Sequence, residues 1–131
     1  SDAFQIARMM KGKQNKVLKI GNLESVRVVM DVRDTVNAYY LAMINDKVNG
    51  DIFNVCGDEP LKMRFFTEKL IEISGLKNVI QEVSPKLFRP IDIHYQHGDS
   101  TNLVEKTGWV PNIPIEKTLE DLLKYWLDKI Q

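Results

Sequence analysis

Four groupings of residues have types and spacings that could do chemistry. Tyr125 and Lys129 lie four apart, which puts them on neighbouring turns of a helix. In that arrangement a lysine can lower the pKa of a tyrosine acid/base. The pair borders an apolar stripe, however, and no cofactor-binding glycine turn accompanies it, so packing explains it better. Asp92, His94, His97 and Asp99 offer carboxylate and imidazole, both common metal ligands, and in an extended segment Asp92 and His94 share a face. The His94/His97 spacing has no fitted partner motif and Asp99 is placed to cap a helix, so no metal is assigned. Cys56 stands in an apolar run with no acid or imidazole arranged beside it, and reads as a small buried thiol. Arg27 and Arg89 are more informative. Arg27 follows the Gly21-Asn22 turn, and Arg89 sits between Phe88 and Pro90. An arginine aimed by a rigid loop can clamp a phosphate with two parallel donors.

The elements that must position these residues alternate between strand and helix patterns. Residues 2–11 form a short helix, capped by Ser1 or Asp2 and ended by Gly12. KVLKI (16–20) is a strand that stops at the Gly21-Asn22 turn. Val28, Val29 and Met30 make a brief buried strand. Val32, Val36, Tyr39, Tyr40 and Met43 then recur at helical spacing and share one face, with Asp31 as cap and Asp34 near a capping-box position. DIFNVC (51–56) is β-rich and leads into a polar loop, 57–60. Phe66, Leu70 and Ile73 mark the next helix, stopped by Ser74-Gly75. NVIQEV (78–83) is strand-like, and SPKLFRPID (84–92) is a loop. A helix over 100–107 takes Asp99 or Ser100 as cap and Gly108 as terminator. Ile115, Leu119, Leu122, Leu123, Trp126, Leu127 and Ile130 form a broad stripe on the last helix. The expected fold is α/β or α+β-like, a small sheet with flanking helices.

Composition excludes several function classes. The 131 residues are 44% hydrophobic and 27% charged, with 18 Lys plus Arg against 18 Asp plus Glu. A zero formal charge does not suit sequence-independent nucleic-acid binding or a polybasic membrane anchor. One cysteine excludes an internal disulfide and a four-cysteine zinc site and fits a reducing, cytoplasmic setting. No apolar run approaches the ~18 residues of a membrane span. The seven glycines never form GxG or GxxxxGK, so neither a dinucleotide fingerprint nor a P-loop is present.

The two arginine loops also carry a resemblance. GNLESVRVVMDVRDTVNAYYLAM (21–43), GDIFNVCGDEP (50–60), FRPIDI (88–93) and GDSTNLVEKTGWVPNIPIEKTLEDLLKYW (98–126) occur in the order and spacing of extended short-chain dehydrogenase/reductases. GNLES-VR followed by RPID is similar to GDP-mannose 4,6-dehydratases and GDP-4-dehydro-6-deoxy-mannose reductases. The resemblance covers nearly the whole chain, and it is to the C-terminal, substrate-binding part of such enzymes. It implies that residues 1–131 form a nucleotide-sugar-binding domain. The catalytic residues and NAD(P) would then belong to a Rossmann domain outside this sequence, and the chain alone would hold no cofactor.

Matched position by position, the resemblance implies that Arg27 contacts the diphosphate, that Arg89 and Asp92 hold the nucleotide with the carboxylate accepting ribose hydroxyls, and that Gly21 and Asn22 form the turn beside the base. Val28 and Val29 stand where the family usually has aspartate and an aromatic residue, and Asp92 is one methylene shorter than the glutamate often found there. The resemblance also implies an apolar surface normally covered by the Rossmann domain, through which an isolated chain could pair with itself as a homo-oligomer. Two alternatives belong to other classes. One is a stand-alone, non-catalytic binding or interaction module built on the same domain. The other is a metal-dependent hydrolase using His94 and His97.

Overall fold

The structure is a computed structural model describing residues 1–131. Three helices, α1 (Asp2–Met10), α3 (Met63–Ser74) and α5 (Ile115–Lys129), pack on one another. Their apolar faces meet the inner side of β1 (Val17–Ile20) in a core that includes Ile6, Leu18, Ile20, Phe66, Leu70, Leu119 and Leu123. Removing each such side chain from water stabilises the fold by roughly 1.5–3 kcal/mol. The helix ends follow local chemistry. Ser1 Oγ accepts from the Phe4 amide, and α3 stops at Gly75, whose φ of +68° suits a residue without a Cβ.

β1 runs parallel to β4 (Ile80–Val83), with Val17 opposite Ile80 and Ile20 opposite Val83. A second, antiparallel pair joins β2 (Val26–Val28) to β3 (Pro60–Lys62). A smaller core lies beyond it, where Leu103 of α4 (Thr101–Thr107) and Trp109, just past the end of that helix, pack against Ala38 of α2 (Val32–Ile44). Trp109 Nε1 donates to the Asp34 carbonyl at 3.0 Å. Asp31 links α2 to α5. It caps α2 by accepting from the Arg33 amide at 2.8 Å, and it also accepts from Arg33 Nε and from Thr118 Oγ1 at 2.7 Å. Arg33 reaches on to Asp121 at 2.8 Å. These donors, the Arg33 side chain first, hold the Asp31 carboxyl well below the usual carboxylate range.

The α/β reading and most element positions agree with the sequence. Four expectations need correction. The strand expected at 28–30 is two residues earlier, at Val26–Val28, and the chain pairs it with β3, which begins inside the expected 57–60 loop. Residues 51–56 form no ladder: Phe53 and Val55 pack against the smaller core, the Cys56 carbonyl accepts from the Ser100 hydroxyl, and Ile52 is 93% exposed. Cys56 is consequently outside a strand and only partly buried, its Sγ 3.4 Å from Ser100 Oγ. Finally, Asp34 makes no capping box with Asp31. Its Oδ2 accepts from the Ile113 amide instead, because α2 turns Asp34 and Ala38 inward. The apolar stripe Val32, Val36, Tyr39, Tyr40 and Met43 exists as a face, but it points to solvent.

Candidate functional site

Parallel pairing decides where the loops meet. Because β1 and β4 run in the same direction, the turn after Ile20 and the segment after Val83 leave from the same end of the pair. The Ser84 amide donates to the Ile20 carbonyl at 2.8 Å, which holds the two exits side by side. Crevices beyond the carboxyl ends of parallel strands are common ligand sites in α/β proteins. Here the crevice is a cavity of about 1210 Å³.

All five residues expected from the sequence line it: Gly21, Asn22, Arg27, Arg89 and Asp92. Asp92 is the centre of a closed cluster. Asn22 Nδ2 and Ser25 Oγ both donate to its Oδ2, the latter at 2.6 Å, and Arg27 donates to Oδ1 at 3.0 Å. The Ser25 hydroxyl also accepts from Asn22 Nδ2 at 2.9 Å. Arg27 and Asp92 are about one-fifth exposed, so the ion pair is shielded yet reachable from the cavity. The hydrogen bonds from Ser25 and then Asn22, with the Arg27 charge behind them, hold the Asp92 carboxyl below its ordinary value, so it is ionised at neutral pH. An ionised carboxylate offers about four acceptor positions, and the three donors leave one of them for a ligand hydroxyl.

Gly21 has a steric reason to be glycine. A Cβ there would lie 3.0 Å from the Leu87 carbonyl oxygen, a contact that the loop carrying Arg89 and Asp92 could relieve only by shifting. Arg89 itself is exposed on the cavity wall. Sequence reasoning missed several lining residues, among them Lys19, Ser25 and Lys86. Lys19 and Lys86 bring the cationic side chains to four, Arg27 and Arg89 included, against the carboxylates Asp2 and Asp92. A chain with no net charge thus concentrates positive charge in one crevice. The one available signal was Lys86, three residues before Arg89 in a proline-bounded loop.

The other candidate groupings do not converge. His94 and His97 are exposed, and no three His, Cys, Asp or Glu side chains gather as a metal would require. Asp99 accepts from the Thr101 amide at 2.9 Å, a local turn at the start of α4. Tyr125 and Lys129 stand outside the crevice, the ammonium 5.7 Å from the centre of the ring. No helix is long and apolar enough to cross a membrane.

Fold and crevice together define an α/β unit with a polar, cation-rich cleft beyond a parallel strand pair. The chain belongs to the GDP-mannose 4,6 dehydratase family, whose model matches residues 3–122. It is 31% identical over 132 residues to the GDP-6-deoxy-D-mannose reductase of Pseudomonas aeruginosa, covering all of this chain and 42% of that protein. A 66-residue stretch, half of this chain and 18% of the relative, is 27% identical to the GDP-mannose 4,6-dehydratase of Yersinia enterocolitica. Among solved structures, RMD from Pseudomonas aeruginosa complexed with NADPH superposes with a TM-score of 0.88 at 29% identity, over 98% of this chain and 42% of that one. The chain therefore spans less than half the length of the relatives it matches.

Proposed function

We propose that this chain binds and positions a nucleotide sugar of the GDP-mannose or GDP-4-dehydro-6-deoxy-mannose type for NAD(P)-dependent dehydration or reduction. The observation that carries this reading is the crevice at the ends of β1 and β4, whose lining brings Arg27, Arg89, Lys19 and Lys86 into one cleft with the ionised Asp92. Arg27 and Arg89 neutralise the diphosphate, Asp92 takes ribose hydroxyls, and the Gly21-Asn22 turn borders the base. Fixing the substrate in one orientation lowers the entropic part of a barrier that other residues then cross.

NAD(P) does not fit this chain. Its glycines are isolated from one another and offer no phosphate-cradling turn. In this reading the hydride chemistry belongs to a Rossmann unit, and the exposed α2 stripe and the unpaired 51–56 segment are the surfaces against which such a unit packs. A cytoplasmic setting suits both the substrate class and the free thiol of Cys56. Turnover is accordingly absent when the 131-residue chain alone is given GDP-mannose and nicotinamide cofactor, and turnover abolished by Tyr125→Phe would contradict this division of labour. Amide NMR during a GDP-mannose titration tests the binding reading directly. Shifts should concentrate at residues 21–27 and 84–92. Shifts elsewhere, or none at millimolar ligand, would remove it.

A further inference from the structure

We propose that Ser25 is a positioning residue of the nucleotide site, which fixes the Asp92 carboxylate for its hydroxyl-bearing ligand without touching that ligand itself. The inference rests on the reading of Asp92 as the acceptor of ribose hydroxyls. Ser25 is 3% exposed. Its hydroxyl proton is committed to Asp92 Oδ2 at 2.6 Å, and its oxygen already accepts from Asn22. The residue is anchored on a third side, since its carbonyl accepts from the Met63 amide at 2.9 Å, where α3 begins. Ser25 therefore connects the turn after β1, the start of α3 and a loop 67 residues away in sequence.

That arrangement has a consequence for geometry. Asp92 sits in a loop with two prolines, between a short 3-10 turn at Pro85–Leu87 and the point where His94 and Gln96 bond to the backbone of Val26, so its backbone is held but its side chain depends on its own partners for orientation. Asn22 Nδ2 and Ser25 Oγ occupy Oδ2, and Arg27 approaches Oδ1, so the carboxylate plane is set from both sides. Removing the Ser25 hydroxyl leaves Asn22 alone on Oδ2, and the carboxylate gains room to rotate toward Arg27. The ligand hydroxyl would then have to reorder it on binding, a cost that preorganisation avoids.

The test is calorimetry on the 131-residue chain with two probes, GDP and 2′,3′-dideoxy-GDP, which lacks the ribose hydroxyls. The wild-type chain should prefer GDP. Ser25→Ala should weaken GDP binding by about five- to ten-fold and leave the dideoxy ligand unchanged, so that the preference collapses. In an Asp92→Ala background, Ser25→Ala should change neither affinity. Ser25→Cys keeps the side-chain size with a weaker donor and should fall between, which serves if the alanine variant does not fold. Equal losses for both ligands would show a merely structural role and overturn the proposal, as would an unaltered preference. A wild-type chain that binds both ligands alike would instead sink the Asp92 reading, and this proposal with it.

Discussion

Replacing Asp31 separates two roles that one carboxylate performs. Asp31 is 3% exposed, caps α2 through the Arg33 amide, and accepts from Thr118 of α5. Asp31→Ala removes the cap, worth about 1 kcal/mol, and strips Thr118 of its better acceptor, worth about 1 kcal/mol more. The ion pair adds less, because the Arg33 side chain is 52% exposed and keeps Asp121; pairs of that kind contribute about 0–1 kcal/mol. The expected loss is therefore about 2–3 kcal/mol. Asp31→Asn retains a capping oxygen for the Arg33 amide but turns an NH2 group toward Thr118, whose hydroxyl can accept from it while donating to the Pro114 carbonyl, so it should lose less, about 1 kcal/mol. Urea unfolding followed by circular dichroism should show both shifts in the midpoint with an unchanged slope. The pH dependence has a fixed sign. The folded-state pKa of Asp31 is depressed, so its contribution is present above the unfolded value of about 3.9 and fades as pH falls below it. The asparagine variant should therefore lose less stability on acidification than the wild type. An alanine variant within 0.5 kcal/mol of wild type (roughly the scatter of surface substitutions), or an asparagine variant as damaged as the alanine one, would refute this account of the α2–α5 link.

Two further perturbations probe the loops around the crevice. Hydrogen bonds from Lys62 and Arg64 pull the Glu24 carboxyl down to about 2, so an NMR titration should show it charged through pH 4, whereas a midpoint near the ordinary value of about 4.3 would mean the two pairs do not persist in solution. Gly21→Ala places a Cβ 3.0 Å from the Leu87 carbonyl and should weaken GDP binding several-fold with little change in unfolding midpoint, while binding equal to wild type would show that the 84–92 loop tolerates the shift.

The helices were legible from signals that act within a few residues: α1, α3 and α4 stop at Gly12, Gly75 and Gly108, α2 starts at its Asp31 cap, and α5 shows in its apolar stripe alone. Strands were less so. A strand is defined by its neighbour, and neither the β2–β3 register nor the absence of a partner for 51–56 is written in local composition. The α2 stripe illustrates the same limit. Periodicity states that Val32, Val36 and Met43 share a face, but not whether that face meets a core. In the site, Arg27, Arg89 and Asp92 emerged from loop position and resemblance. Ser25 did not, since a buried serine is unremarkable until its partner 67 residues away is known.

The central claim is that this crevice recognises the diphosphate of a nucleotide sugar through Arg27 and Arg89. Calorimetric titration of GDP into the wild-type chain, Arg27→Ala and Arg89→Ala tests it most directly. On that claim each arginine would supply charge-assisted donors to the diphosphate, so each substitution should cost about 1.5–3 kcal/mol, a ten- to hundred-fold rise in Kd, with the fold intact by circular dichroism. Unchanged affinity in both folded variants would contradict the assignment of this crevice as the nucleotide site.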